Sequence, residues 1–351
     1  MFDLDKLIRE SIKALKPYSS ARDEFSGKEG VFLDANENPF GMLNRYPDPN
    51  QTELKSILST QKRLPNNQVF VGNGSDEIID LLFRIFCNPS KDKALTFSPT
   101  YGMYDVSAAI NDIELIKLLL TDSFDIDLAN TKEILAKESI KLTFICSPNN
   151  PTGNAFRRET IEEILKSSHG IVVIDEAYID FSESNSFIDL IDTYPNLVIM
   201  QTMSKARGLA SARVGFAFSN ERVIELLNKV KPPYNVSGLN QQAAINTLIE
   251  TDLFEKNIKR IRSQRKELEK NLLQLESVLK IYPSQANFLL VEFDNANEIY
   301  EALINQKIIV RNRSKIIENC IRITVGTAIE NDKLLNELKQ IEYEKGIIYR
   351  S

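Results

Sequence analysis

The run Gly170-Ile-Val-Val-Ile174, closed by Asp175, restricts the fold of this chain more than any other stretch. Successive side chains of a strand point to opposite sides, so four branched apolar residues in a row leave neither side for water. Such a strand belongs in a mostly parallel sheet with helices packed on both faces. Short apolar runs at 68–71, 94–97, 114–118, 142–146, 197–201 and 214–218 read as its companions. Helical periodicity separates them. Ser75 is placed to cap a helix that aligns Ile78, Leu81, Leu82, Ile85 and Phe86 on one face, with Asp76 and Glu77 in its first turn. Further helices fit 159–166 and 222–229.

After Pro232-Pro233 the pattern turns helical to about residue 275. A strand–helix–strand–strand–helix pattern follows, with strands near 288–293, 308–311 and 321–325. A length of 351 residues exceeds the commonest single-domain size. The expected division is an amphipathic N-terminal arm (1–30) packing with the small domain or a dimer partner, a large cofactor-binding domain (31–240) and a smaller α/β domain (241–351).

Composition removes several function classes. The net charge of −6, with acids and bases interspersed, offers no broad basic face to nucleic acid or an anionic membrane. A local arginine cluster in a cleft remains able to bind a small anion. His169 is the only histidine and reads as a surface residue in a polar turn. Ser-His-Asp hydrolysis and most zinc chemistry are thereby excluded, and no metal site is expected. The charged start lacks the apolar core of a signal peptide, and no apolar run reaches the roughly 18 residues of a membrane span. Three widely spaced cysteines fit a reducing compartment, so the cytoplasm is the expected location.

Four segments carry chemistry, and each follows or ends an expected strand, where ligands of parallel sheets gather. Gly72-Asn-Gly-Ser-Asp-Glu77 lacks the third glycine of a dinucleotide site but opens a helix whose free N–H groups suit one phosphate. A tight turn without a ligand explains it equally well. Ser147-Pro-Asn-Asn-Pro-Thr-Gly153 is stiff enough to aim the side chain of Asn150. In Asp175-Glu-Ala-Tyr178 the acid is either a helix cap or a carboxylate that keeps a ligand's ring nitrogen protonated, with Tyr178 near a ring oxygen. Ser204-Lys205 and Arg213 supply an amine beside a phosphate cradle. A Ser-Lys hydrolytic dyad is the rival for that pair, and it leaves the other three segments unexplained.

Together these segments resemble the class I/II aminotransferases, the fold-type I pyridoxal-phosphate enzymes, over nearly the whole chain. The matching stretches are Leu33-Asp-Ala-Asn-Glu-Asn-Pro39, Arg45-Tyr-Pro-Asp48, Pro99-Thr-Tyr-Gly-Met-Tyr104, Cys146–Gly153, Asp175–Tyr178 and Ile321-Arg-Ile-Thr-Val-Gly326. Within the family, the histidinol-phosphate aminotransferase branch is the one they look like. The resemblance implies that Lys205 holds pyridoxal 5'-phosphate as a Schiff base and that Asp175 pairs with the pyridine nitrogen. It gives Asn150 and Tyr178 the phenolic oxygen and Tyr101 the ring face. Ser75 and Asp76 (through backbone N–H groups), Ser204 and Arg213 would hold the phosphate. Tyr46 would reach it from the neighbouring subunit of a homodimer. Tyr18, Asn36, Arg311 and Arg322 would recognise the substrate anion; independently, an arginine inside the apolar run 320–325 asks for an anionic partner.

The substrates so implied are L-histidinol phosphate and 2-oxoglutarate, in histidine biosynthesis. Aromatic amino-acid aminotransferases and threonine-phosphate decarboxylase-like enzymes share the cofactor residues and stay open as alternatives. A non-catalytic cofactor-binding regulator is the remote one, since it would need a DNA-binding segment and a basic stripe. Arg207, where the family usually has a bulky aromatic or apolar residue, and Ser211, where glycine is common, depart from the pattern in the loop after Lys205.

Overall fold

The computed structural model describes residues 2–18 and 30–348, so residues 19–29 of the expected arm lie outside the described residues. Helices α1 (Glu10–Ala14) and α2 (Thr52–Lys62) precede strand β1 (Val69–Gly72) and helix α3 (Ser75–Phe86). Then come β2 (Lys93–Ser98), α4 (Met103–Ile110), β3 (Glu114–Leu119), α5 (Leu128–Lys137), β4 (Ile140–Cys146) and α6 (Arg158–Ser167). Strands β5 (Ile171–Asp175), β6 (Leu197–Thr202) and β7 (Gly215–Ser219) lead to α7 (Glu221–Val230), α8 (Gly238–Ile249) and α9 (Thr251–Leu272). The chain closes with β8 (Val278–Tyr282), β9 (Phe288–Phe293), α10 (Ala296–Asn305), β10 (Arg311–Asn312), β11 (Cys320–Thr324) and α11 (Ala328–Ile348).

Seven strands form one sheet in the order β1-β7-β6-β5-β4-β2-β3. Strands β2 to β6 run parallel, whereas β7 is antiparallel to both β1 and β6. Strand β5 sits at its centre and is buried at every position. Its side chains divide as the run 170–174 requires: Val172 and Ile174 enter one core, Ile171 and Val173 the core on the other face. Ile8 is buried in this second core, so the described start of the chain lies on the large sheet. Ala244, Ile245 and Leu248 of α8 pack in the first.

Strands β10-β11-β9-β8 make a smaller sheet that is antiparallel throughout. Its core takes Leu268 and Leu272 from α9, Ile299 and Leu303 from α10, and Leu335 and Leu338 from α11. A fourth cluster joins Tyr178, Phe181 and Ala206 to Ile258 of α9 and Phe288 of β9, tying the two sheets together beside the loop of Lys205. The architecture is the α/β fold expected.

Three local expectations are corrected. The strand at 308–311 shrinks to Arg311–Asn312, because only these two residues face partners, Arg322 and Ile321, on β11. The helical stretch to residue 275 is two helices broken at Glu250 (φ −84°, ψ 60°). Ser75 does not cap α3: Gly74 holds that position at φ +77°, where glycine alone is unstrained, and no side chain caps the helix. Glu77 instead reaches back to accept from the Asn73 N–H at 2.5 Å.

Candidate active site

The carboxyl ends of β4, β5 and β6 lie side by side, with Cys146 paired to Asp175 and Asp175 to Met200. Loops leaving these neighbours converge, so residues 55 positions apart in sequence, Asn150 and Lys205, line one cavity of about 530 Å³. The cavity also receives Ser75 and Asp76 from α3, Tyr101 before α4, and Asp175, Tyr178, Ser204 and Arg213. The small sheet contributes Arg311 and Arg322 to the same wall.

Asp175 is 3% exposed. Its Oδ1 accepts from the Ala177 N–H at 3.0 Å and its Oδ2 from the Tyr104 hydroxyl at 2.7 Å. Burial nevertheless pushes its pKa up to about 6, against the opposing pull of those hydrogen bonds. Lys205 opens to solvent through the cavity mouth, yet the surrounding protein still desolvates its ammonium. Its pKa is lowered, first by that desolvation and then by the Arg322 cation, against Asp175 and Asp76. The amine stands 5.7 Å from the centre of the Tyr178 ring. Asn150 donates to the Tyr178 hydroxyl at 3.3 Å and accepts from Arg322 Nη1.

At the N-terminus of α3, Arg213 pairs with Asp76 at 3.1 Å and donates to Ser204 Oγ at 3.3 Å. Tyr101 donates to Asp76 at 3.0 Å. The approach is tight: a Cβ on Gly74 would stand 2.6 Å from Arg213 Nη2, and one on Gly215 only 2.4 Å from the Ser75 nitrogen. Free helix N–H groups, an arginine and a serine thus form a concave anion cradle. A buried carboxylate, an aromatic ring and a lysine stand beside it. This donor set fits a phosphorylated, cationic heteroaromatic aldehyde.

Three expected residues are not brought into the cavity. Asn36 and Tyr46 line a separate concavity of about 550 Å³ with Arg45, Ser237 and Leu239. Tyr46 stacks on Tyr234 with ring centroids 4.4 Å apart, and Tyr18 is 73% exposed.

Two residues were absent from the sequence expectations. Tyr104, fully buried, orients Asp175; its spacing of three from Tyr101 across the start of α4 was the available signal. Arg313 lines the cavity, and its alternation with Arg311 was the signal there. Of the two departures, Arg207 lays its guanidinium 3.5 Å over the Phe254 ring on α9, while Ser211 is exposed.

The family model for aminotransferase class I and II matches residues 27–338. The chain belongs to the class I and II aminotransferases. It is 49% identical to the histidinol-phosphate aminotransferase of Cytophaga hutchinsonii over 347 residues, covering 96% of this chain and 99% of the relative. That of Flavobacterium johnsoniae is 50% identical over 344 residues, covering 96% and 98%. Among solved structures, the histidinol-phosphate aminotransferase of Clostridium acetobutylicum superposes with a TM-score of 0.79 at 25% identity, over 88% of this chain and 98% of that one. The enzyme of Sinorhizobium meliloti, solved with pyridoxal-5'-phosphate, shares the fold at a TM-score of 0.80 and 22% identity, over 88% and 90% of the two chains.

Proposed function

We propose that this aminotransferase uses pyridoxal 5'-phosphate to exchange the amino group of L-histidinol phosphate with 2-oxoglutarate. The products are imidazole acetol phosphate and glutamate, in histidine biosynthesis. The observation that carries the reading is the single cavity in which Lys205, Asp175, the Asn150–Tyr178 pair and the Arg213 cradle meet arginines of the small sheet. The identity of about half the chain to histidinol-phosphate aminotransferases supports the substrate.

When bound, the cofactor supplies an electron sink for the pair left as a proton departs from the substrate Cα. Asp175 keeps the ring nitrogen protonated, and Tyr104 holds that carboxylate in place. Asn150 and Tyr178 donate to the phenolic oxygen, and Tyr101 covers the ring. The N–H groups of Ser75 and Asp76, with Ser204 and Arg213, anchor the phosphate. Lys205 would accept the Cα proton on Nζ and pass it to the cofactor carbon that gains it; its lowered pKa favours the unprotonated amine that this needs. Arg311 and Arg322 bind the substrate anion; Tyr18 and Asn36, which lie outside the cavity of their own chain, would join that role only across an interface with a second copy. Tyr46 serves the site of a second copy in a cytoplasmic homodimer. Its place in a concavity apart from Lys205 supports that arrangement.

Glutamate formation from L-histidinol phosphate and 2-oxoglutarate tests the reading. Lys205→Ala should lose at least about 10²–10⁴-fold in kcat. A variant working near the parent rate removes Lys205 from its role. Turnover of phenylalanine without turnover of histidinol phosphate would replace the substrate by an aromatic amino acid.

A further inference from the structure

Strand β10 pairs with β11 so that Arg311 faces Arg322 directly. Like charges opposite one another in a sheet are destabilising, and two guanidinium groups in register ask for an anion between or above them. Side chains two apart on an extended chain share a face, which puts Arg313 on the side of Arg311. All three arginines line the cavity of Lys205.

Arg313 lies deeper than Arg311: it is half-buried, and its Nε is shut off from solvent without a hydrogen-bond partner. No carboxylate pairs with either side chain among the described residues. Burial lowers the pKa of Arg313, with Arg322 and Arg311 adding to the effect. Neither acid of this cavity offsets the cluster: Asp76 is engaged with Arg213, and Asp175 is held by Tyr104 and Ala177. Two arginines suffice for a carboxylate. A third unpaired donor fork on the same face adds what a phosphate dianion has over a carboxylate, a second negative charge and a third acceptor oxygen.

We infer that Arg313 is a specificity-determining residue, whose guanidinium selects a phosphate-bearing amine over amines that carry only a carboxylate. The inference rests on the transaminase reading above and adds the residue that grades its substrates.

The test compares the holoenzyme with Arg313→Gln in two half-reactions, one with L-histidinol phosphate and one with glutamate, with L-histidinol as the phosphate-free control. A lost hydrogen bond to a charged group corresponds to about 10- to 100-fold. The expected result is a fall of that size in kcat/KM for histidinol phosphate, carried by KM. Glutamate and L-histidinol should change less than about threefold, and competitive inhibition by inorganic phosphate should weaken in parallel. Arg313→Lys, which keeps the charge and loses the fork, should fall between. Equal losses on all substrates would reveal a structural role, and an unchanged preference would remove Arg313 from recognition; either overturns the inference alone. A wild-type enzyme inert towards histidinol phosphate overturns the functional reading together with it. Should Arg313→Gln not fold, Arg313→Lys decides by the same comparison.

Discussion

A carboxylate at the end of a fully apolar strand is an expensive residue, and Asp175 shows what the expense does. Burial holds its folded pKa at about 6, above the ordinary 3.8. Between those pH values the folded chain binds a proton that the unfolded chain does not. Stability from this group is therefore highest at low pH, falls as pH rises through the window and is lowest above about 6. The swing is on the order of 3 kcal/mol. Glu176, also buried and with its pKa raised, adds a slope of the same sign, so the comparison must isolate Asp175. Cofactor-free Asp175→Asn should show a clearly flatter dependence of melting temperature on pH between about 4 and 6 than the cofactor-free parent. Coincident curves for the two proteins would refute the assignment. In the holoenzyme a cationic ring nitrogen would stabilise the carboxylate, so removing the cofactor should cost more stability at pH 8 than at pH 5.

At the scale of elements, the anion cradle depends on how closely β7 approaches the start of α3. Gly215 lies opposite Gly72 in the register of β1 and β7. Any Cβ at Gly215 meets the backbone of Gly74 and Ser75, which cannot move aside as a flexible side-chain tip can. Gly215→Ala should therefore cost about 1–3 kcal/mol of stability and displace the helix N–H groups from their anion. Thermal unfolding together with titration of pyridoxal phosphate checks this. A variant with unchanged melting temperature and cofactor affinity would show that the approach is not tight. The Lys205 loop is fixed differently, by Arg207 stacked on Phe254, a contact that brings α9 to the lysine through a cation and a ring. A bulky apolar residue at that position would fill the same space, which accounts for the departure without a change in chemistry.

Over the whole molecule, the stretch before α2 leaves much apolar surface in contact with water. Val31 and Leu33 are 88% exposed and Phe40 84%. A single copy gains nothing from such residues, whereas an interface would cover them. With Tyr46 and Asn36 outside the cavity of their own chain, the proposed dimer would supply both cover and function. Specific activity should fall on dilution below the dimer dissociation constant, and melting temperature should rise with protein concentration. Full activity in a species that sedimentation shows to be monomeric would eliminate the shared site.

What the sequence determined is local chemistry and its periodicity. The all-apolar run at 170–174 required a strand covered on both faces, and β5 lies at the centre of the sheet with alternate side chains in two cores. Strand-end loops announced Asn150, Asp175 and Lys205, because backbone stiffness and residue type are written in the chain itself. Arg322 was legible as a cation in an apolar run. Distances between segments were not legible. Only the parallel pairing of β4, β5 and β6 decides that their loops share a cavity, and only the β10–β11 register sets Arg311 against Arg322. Tyr104 joined Asp175 through packing of α4 beneath the sheet, a contact 71 residues apart in sequence. Such contacts arise when the two faces of a sheet are covered, and no periodicity within either segment encodes them.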